Sequence, residues 1–327
     1  MTANSRLAVL FEHPEWQKPL FAALGRAGID HLAIDLKQAA FSEGEVPSAS
    51  LYFNQASPSA YIRGNARAVP YVLALMRHLE DSGTRVLNGS RAFELELSKT
   101  SQARLLRRLG IDHPRSITFN SVDALRGRDD LAWPAMLKPE QGGSGARMHL
   151  VHSINELEAL LENEPGLWLP DNLLLLQEYI DHDPEKGVVR LEFLGGDLLY
   201  AMRVISHGRF NLCPSVVCNP LDGSISEEAA CEVPAGPPVE FYAYPDVPAD
   251  AVATGRRIFA AAGLDVGGIE YVEAADGRRV FYDINANSNL REPVAREFGG
   301  FDPFDRVAEY LRSQLRKVVA VASAGAR

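Results

Sequence analysis

The sequence predicts an α/β protein in which a parallel-sheet unit is followed by two α+β units. Three observations favour this fold class. Residues 1–95 alternate strand and helix patterns, as is typical of a parallel sheet covered by helices. Residues 96–170 place a glycine-rich turn between short strand patterns. Residues 171–318 contain the turn signals of β-hairpins around a helix pattern.

The first unit, residues 1–95, consists of short apolar runs separated by amphipathic segments. Its strand patterns are 6–12, 31–36, 49–54 and 84–88, and its helix patterns are 20–28 and 68–83. Each helix pattern ends at a glycine, which is a common stop signal.

The second unit, residues 96–170, begins with a predicted helix at 96–111. Short strands are predicted at 116–120 and 133–139, a glycine-rich turn that enters a strand at 141–151, and a helix at 153–165. Ser153 is the expected N-cap of that last helix.

The third unit, residues 171–318, is predicted to be rich in hairpins. Strand and hairpin patterns cover 172–180, 188–204 and 267–285, and helix patterns cover 250–264 and 301–318. The small residues of 319–327 predict a frayed tail.

Composition excludes several classes of protein. Among 327 residues, 46% are hydrophobic, and 43 acidic residues outnumber 33 basic ones, giving a net charge of -10. An overall acidic field argues against a nucleic-acid partner. The three cysteines, Cys213, Cys218 and Cys231, do not form a disulfide framework, and no apolar run is long enough for a membrane span. We therefore expect a cytoplasmic protein without a membrane partner.

Polar side chains alternate along FYDINANSN, residues 281–289, so that Asp283, Asn285, Asn287 and Asn289 share one face of a strand. Oxygen ligands in such a row suit Mg²⁺ or Ca²⁺. A calcium loop of the EF-hand type is excluded, because Ser288 stands where glycine is required and Val294 where glutamate is required. Asparagines that cap nearby backbone remain the alternative interpretation.

Three other stretches could bind a nucleotide. Lys138 precedes a glycine-rich turn, a combination that can surround phosphate oxygens with an ammonium and backbone N–H groups. Lys99 opens a helix, where a bound anion would offset the unfavourable dipole. LLLLQEYI, residues 173–180, could form one wall of a flat apolar pocket. Taken singly, each is also explained by a structural turn, a surface lysine or a strand end.

The segments around Glu270 and Asp283 are joined by the turn AADGRR and predict an antiparallel hairpin. Pairing across this turn would bring the two carboxylates together, and they repel unless a cation lies between them. The hairpin and the metal hypotheses therefore support one another.

These segments, in this order, resemble the ATP-grasp superfamily over nearly the whole chain, and its RimK-like carboxylate–amine ligase branch in particular. The segments that carry the resemblance are SKTSQARLLRRLGIDHP, AMLKPEQGGSGARM, LLLLQEYI, GLDVGGIEYVE and FYDINAN. The resemblance implies an N-terminal pre-ATP-grasp domain, a small lid subdomain with a glycine loop, and a C-terminal subdomain with a metal site, the last two clasping ATP between them.

The resemblance also implies the roles of individual residues. Those implied to bind ATP are Lys99, Lys138, Gly142, Gly143, Ser144, Gly145, Gln177, Glu178, Tyr179 and Ile180. The implied metal ligands are Glu270, Asp283 and Asn285, and Arg190 and Arg203 are the implied catalytic residues. Asn287 and Arg291 are candidates for substrate contact, while the roles of Arg63, Arg67, His207 and Arg296 stay open.

Two departures from the family pattern affect this interpretation. The family usually has Glu where this chain has Asp283, and the usual Pro-Gly after the metal motif is replaced by Asn287 to Asn289. The second departure lies at the substrate end, so family substrates do not transfer.

The implied function is amide or peptide bond formation through an acyl phosphate. It would use ATP with Mg²⁺, with Mn²⁺ as the alternative ion, and act on an amino acid or short peptide. A small-molecule kinase on the same fold and a non-catalytic ATP-binding module are the alternatives. The resemblance also suggests a homodimer or tetramer.

Overall fold

The computed structural model describes residues 6–128, 130, 132–143, 145–207 and 239–325, with side chains as far as residue 321. Ser144 and the three cysteines lie outside the described residues, so their predicted roles stay predictions. None of the helices in these ranges combines the length and the apolar character that crossing a membrane requires.

The N-terminal unit is a four-stranded parallel sheet in the order β2-β1-β3-β4, which confirms the predicted parallel arrangement. Its elements are β1 (Leu7–Phe11), α1 (Pro14–Arg26), β2 (His31–Asp35), β3 (Leu51–Gln55), α2 (Ala68–Asp81) and β4 (Arg85–Leu87). Alternate residues of β1 contact opposite faces. Leu7 and Val9 pack in the core that contains α1, and Ala8 and Leu10 pack in the core that contains α2.

Two helices replace the single predicted helix at 96–111, namely α3 (Ser90–Leu97) and α4 (Lys99–Arg108). The break lies at Ser98, whose backbone is extended and whose side chain accepts a hydrogen bond from the N–H of Ser101. A serine N-cap of this kind starts a new helix, and Lys99 is therefore the first residue of α4.

The small sheet is antiparallel, with strand order β5-β8-β6-β7. Its elements are β5 (Ser116–Phe119), β6 (Ala135–Pro139), β7 (His149–Val151), α5 (Ile154–Asn163) and β8 (Leu174–Glu178). The strand β8 lies between β5 and β6. A domain boundary at residue 170, as the sequence predicts, would separate β8 from the sheet to which it is hydrogen-bonded.

The large sheet is also antiparallel, with strand order β11-β10-β9-β12-β13. Its elements are β9 (Val188–Leu194), β10 (Asp197–Ile205), β11 (Glu240–Ala243), α6 (Ala249–Ala262), β12 (Val266–Glu273), β13 (Arg279–Asn285), α7 (Glu292–Gly299) and α8 (Pro303–Gly325). One face of the sheet shares a core with β1 and β3, and the other packs against α4 and α6.

The C-terminal segment differs from its prediction. The helix α8 continues to Gly325, so residues 319–325 are helical where the sequence predicts a frayed tail. The alternating alanines of this segment have a high helix propensity, which explains why the helix extends.

Candidate active site

A cavity of about 550 Å³ lies between the small sheet and the large sheet. The small sheet contributes Met136 and Lys138 of β6 and the segment Gln177–Ile180 at the end of β8, and the large sheet contributes Val272. The cavity wall is mainly apolar, and all four residues of the predicted adenine-binding segment line it. Its size is that of a pocket for a small organic ligand.

Lys138 lies on the floor of this cavity. Its Nζ donates a hydrogen bond to Oε1 of Gln177 at 2.5 Å and lies 5.4 Å from the ring centre of Tyr282. Burial, and then the nearby charge of Lys99, lower the pKa of Lys138 to about 8. An ammonium held in an apolar wall without a carboxylate of its own is a strong partner for an anion.

Lys99 enters the same cavity from the first turn of α4. Its Nζ forms an ion pair with Oδ1 of Asp283, and only 16% of the lysine side chain is exposed. Burial opposes ionisation of Asp283, but the charges of Lys99 and Lys138 hold the pKa of that carboxyl below its usual value.

The strands β12 and β13 form the predicted antiparallel hairpin, and a β-bulge between Glu270 and Tyr271 places Glu270 directly opposite Asp283. Glu270 is 5% exposed and accepts hydrogen bonds from Arg190 Nη1 at 2.7 Å and from the hydroxyl of Tyr282 at 2.8 Å. Burial raises the pKa of Glu270, and the charge of Asp283 adds to that rise. Two carboxylates thus face each other across neighbouring strands.

Arg190 lies at the centre of a buried ion-pair network. Its guanidinium donates to Glu192 at 2.6 Å, to Glu270 at 2.7 Å and to Oγ of Ser288 at 3.0 Å. Gly268 makes room for it, because a Cβ at that position would lie 2.6 Å from Nη2 of Arg190. A side chain at Gly268 would therefore collide with Arg190, which explains the second glycine of the pair in GLDVGGIE.

Asn285, the third predicted metal ligand, follows on β13 and pairs with Gly268 across the hairpin. Its Nδ2 is buried without a hydrogen-bond partner in the described part of the chain. Those residues contain no cluster of three or more His, Cys, Asp or Glu that could hold a metal. The predicted metal ligands are two carboxylates and one amide, so the absence of a cluster of three His, Cys, Asp or Glu does not test that prediction.

A second cavity of about 140 Å³ adjoins the first and shares Lys99, Glu270 and Asp283 with it. Its remaining lining residues belong to all three sheets or to their connections, and include Trp16, Ser57, Glu96, Arg190, Phe241, Asn285, Asn287, Asn289 and Arg291. Both candidates for substrate contact, Asn287 and Arg291, are among them.

The glycine-rich loop packs on the N-terminal unit, at the 3-10 turn Pro58–Arg63. Gln141 Nε2 donates to the carbonyl of Pro58 at 3.1 Å, and a Cβ on Gly143 would lie 2.6 Å from Cβ of Ser59. The loop therefore approaches this turn as closely as glycine allows. Gly142, Gly143 and Gly145 line both cavities.

Comparisons with known proteins give a consistent result. No family model matches. The large chain of carbamoyl phosphate synthase from Rubrobacter xylanophilus is 30% identical over 137 residues, covering 41% of this chain and 13% of that protein. The chain thus spans about an eighth of that relative's length.

Two solved structures match over most of this chain. The ATP-grasp ligase PsnB, in complex with a phosphomimetic precursor variant, Mg and ADP, has a TM-score of 0.65 at 17% identity, covering 96% of this chain and 100% of PsnB. A RimK-domain ATP-grasp protein from Sphaerobacter thermophilus has a TM-score of 0.64 at 19% identity, covering 93% and 98%. The chain has the ATP-grasp fold.

Within the ATP-grasp fold, Arg203 is the one predicted catalytic residue that the structure places away from both cavities. Its neighbours Met202 and Val204 line the second cavity, so the side chain of Arg203 projects from the opposite face of β10. It donates to Glu273 at 3.2 Å and lies over the ring of Tyr244. The prediction that Arg203 meets a transferred phosphate does not fit this position.

The residues whose roles stayed open have structural partners or lie near the surface. Arg63 pairs with buried Glu12 at 2.6 Å, and Arg296 pairs with Glu292 one helical turn away. His207 lies 3.6 Å from a carboxylate oxygen of Glu240. Arg67 is exposed before α2. None of these four residues lines either cavity.

Sequence reasoning missed Glu96, although it lies three residues before Lys99. Glu96 is 4% exposed, lines the second cavity and accepts a hydrogen bond from the N–H of Asn287 at 3.1 Å. Burial raises its pKa to about 8. The spacing from Lys99 was the available signal, but a glutamate in a helix pattern is usually exposed.

Proposed function

We propose that the chain is an ATP-dependent ligase that joins a carboxylate to an amine through an acyl phosphate, releasing ADP. The observation that carries this proposal is the convergence of Lys99, Lys138, Glu270 and Asp283 on one cavity between two sheets. This set provides positive charge for phosphate oxygens and paired carboxylates for a metal ion. The similarity to the ATP-grasp ligase PsnB supports it.

ATP would lie along the large cavity. The adenine fits the apolar end, where the segment Gln177–Ile180 offers backbone groups beside Met136. The phosphates would extend toward Lys138 and Lys99, with the glycine loop above them. Phosphate oxygens would then replace Asp283 as the partner of Lys99.

Mg²⁺ fits the end of the cavity that Glu270 and Asp283 line. Glu270 and Asp283 face each other, and the raised pKa of Glu270 reflects burial and the repulsion that a cation would relieve. Asn285 could supply a third oxygen, and an all-oxygen set suits magnesium. When bound, the ion neutralises charge on the β- and γ-phosphates of ATP.

The reaction has two steps. A substrate carboxylate oxygen attacks the γ-phosphorus, the bond to the β-phosphate oxygen breaks, and ADP leaves. The amine nitrogen then attacks the carbon of the acyl phosphate, forming the C–N bond as inorganic phosphate departs with the bonding electrons. The amine loses its protons to phosphate and solvent.

The chain contributes positioning, charge and exclusion of water. Arg190 lines the second cavity and contacts Glu270, which lines both cavities, and we propose that it orients the transferred phosphoryl group. Its two carboxylate partners fix the guanidinium in place. The packing of the glycine loop on the turn Pro58–Arg63 closes the site above the phosphates, which would protect an acyl phosphate from hydrolysis.

The substrates are small molecules or a short peptide, because within the described part of the chain a cavity of about 140 Å³ adjoins the proposed phosphate region. The test is ADP release with Mg²⁺ and ATP across a panel of carboxylic acids, with hydroxylamine as the trap. A hydroxamate that depends on one acid identifies the acyl phosphate and the acid. A stable phosphorylated product without hydroxamate would make the chain a kinase, and ATP binding without ADP release would make it a binding module.

A further inference from the structure

Glu140, the residue that follows β6, forms hydrogen bonds with the start of α4. Its carboxylate accepts the N–H of Thr100 at 3.1 Å and the Thr100 hydroxyl at 2.8 Å, and it also accepts the hydroxyl of Ser98. Its backbone carbonyl accepts the N–H of Lys99 at 3.2 Å. Glu140 is 7% exposed, so water competes little for these bonds. One residue therefore links the small sheet to the first turn of α4 through both its backbone and its side chain.

The N-terminus of α4 has four N–H groups that find no partner inside the helix. Glu140 accepts two of them, those of Lys99 and Thr100. The side chain of Ser98 accepts that of Ser101, and the N–H of Ser98 itself is bonded to the preceding helix. These four groups are therefore not free for phosphate oxygens, and Lys99 must reach a phosphate through its side chain.

The rest of α4 is fixed to the large sheet. Gln102 is buried and exchanges two hydrogen bonds with the backbone of Ile284 on β13, at 3.0 and 3.1 Å, and apolar residues of α4 pack in the core on that face. Glu140 ties the start of the helix to the small sheet, and a hydroxyl contact between Thr100 and Thr118 of β5 adds to this link. The helix therefore connects the two sheets on either side of the large cavity.

We propose that Glu140 is a positioning residue, which holds the start of α4 so that Lys99 and Lys138 keep the spacing that the phosphates of ATP require. Lys138 lies two residues before Glu140, and the Glu140 carbonyl binds the N–H of Lys99, so one short segment places both ammonium groups. A carboxylate at a helix N-terminus also offsets the unfavourable interaction of Lys99 with the helix dipole. This inference rests on the binding of ATP in the proposed function, and not on the step that forms the amide.

Glu140→Gln tests the proposal by calorimetry on the full chain with Mg²⁺. Glutamine has the size of glutamate, but its NH₂ group cannot accept a hydrogen bond, so part of the link to Thr100 and Ser98 is lost. ADP should bind about 10-fold more weakly to the variant, whereas adenosine, measured by its displacement of ADP, should stay within about threefold because it has no phosphates. An unchanged affinity for ADP, or an equal loss for both ligands, overturns the proposal.

Glu156→Gln is the matched control. Glu156 also caps a helix beside the small sheet, where it accepts the N–H of His152 at 2.8 Å, but it lines neither cavity. This variant removes a helix-capping carboxylate without touching the start of α4, and it should leave the affinity for ADP unchanged.

A double-mutant cycle with Lys99→Met shows whether Glu140 acts through Lys99. In the Lys99→Met background, Glu140→Gln should change the affinity for ADP by less than about twofold, because the group that it positions is gone. The same loss in both backgrounds would mean that Glu140 acts independently of Lys99, and would overturn the proposal.

Thr100→Val is the second variant, in case Glu140→Gln folds poorly. Valine keeps the N–H at this position and removes only the hydroxyl that Glu140 accepts. It should weaken ADP binding in the wild-type background and have no effect with Lys99→Met; an unchanged affinity in the wild-type background contradicts the proposal. Absence of hydroxamate in the wild type counts against the ligase alone, because ADP binding is measured without turnover, whereas absence of ADP binding overturns both proposals.

Discussion

Replacing Glu96 by glutamine should stabilise the protein, by an amount that grows with pH. Burial raises the pKa of this carboxyl from 4.5 to about 8. A group with a raised folded-state pKa contributes stability that is fully present below its unfolded pKa and is lost as pH rises through its folded pKa. The wild type therefore loses stability between pH 4.5 and about 8, and the glutamine variant does not.

The magnitude follows from the two pKa values. At about 1.4 kcal/mol per pH unit, the difference between 4.5 and 8 corresponds to roughly 5 kcal/mol above pH 8 and to roughly 3 kcal/mol at pH 7. At pH 4.5 the two proteins should differ by less than about 1 kcal/mol. The other buried acids titrate in both proteins, and their contributions cancel in the difference.

The assay is urea unfolding of the wild type, Glu96→Gln and Glu94→Gln at pH 4.5, 6, 7 and 8. Glu94 is exposed, so its variant should follow the wild type at every pH. A gap between wild type and Glu96→Gln that stays constant from pH 4.5 to 8 would refute the reasoning. It would mean that the carboxyl ionises as easily in the folded protein as in the unfolded chain.

Three further predictions concern the network around the cavities. Gly268→Ala places a Cβ 2.6 Å from the guanidinium of Arg190, so it should lower the free energy of unfolding by about 3 kcal/mol and abolish turnover. Gly44→Ala is the control, because its Cβ would meet open space and should change neither property. Urea unfolding measures the stability, and ADP release measures the turnover. Asp283→Asn should reduce ADP release on the order of 100-fold or more with an unchanged circular dichroism spectrum, and full activity would disprove the metal assignment. Arg203→Gln should cost about 1 kcal/mol or less and leave kcat within about threefold, because its side chain faces away from both cavities; a large loss of kcat would restore the predicted phosphate contact.

The sequence predicted the elements that depend on local patterns. Alternating strand and helix signals were sufficient for the parallel sheet, and the clearest strand signal is β1, which is buried on both faces and reads as an apolar run. The AADGRR turn was sufficient for the hairpin itself. A β-bulge between Glu270 and Tyr271, which the turn does not reveal, then places Asp283 rather than Tyr282 opposite Glu270.

Predictions that depended on longer-range structure were less accurate. The sheet that contains β8 could not be read from LLLLQEYI, since strand neighbours are set by pairing with β5 and β6. Arg203 was assigned by resemblance, and the face on which a side chain lies changes with every residue of a strand. Glu96 was missed because only tertiary packing buries it.

The chain has a net charge of -10, yet its proposed ligand, ATP, is an anion, and the placement of charged side chains around the cavities accounts for this. Lys138 and Lys99 provide positive charge in the large cavity, Glu270 and Asp283 provide negative charge where the two cavities meet, and Arg190 follows. Such a local arrangement favours a compact, metal-bound polyphosphate over an extended polyanion, which the overall field would repel.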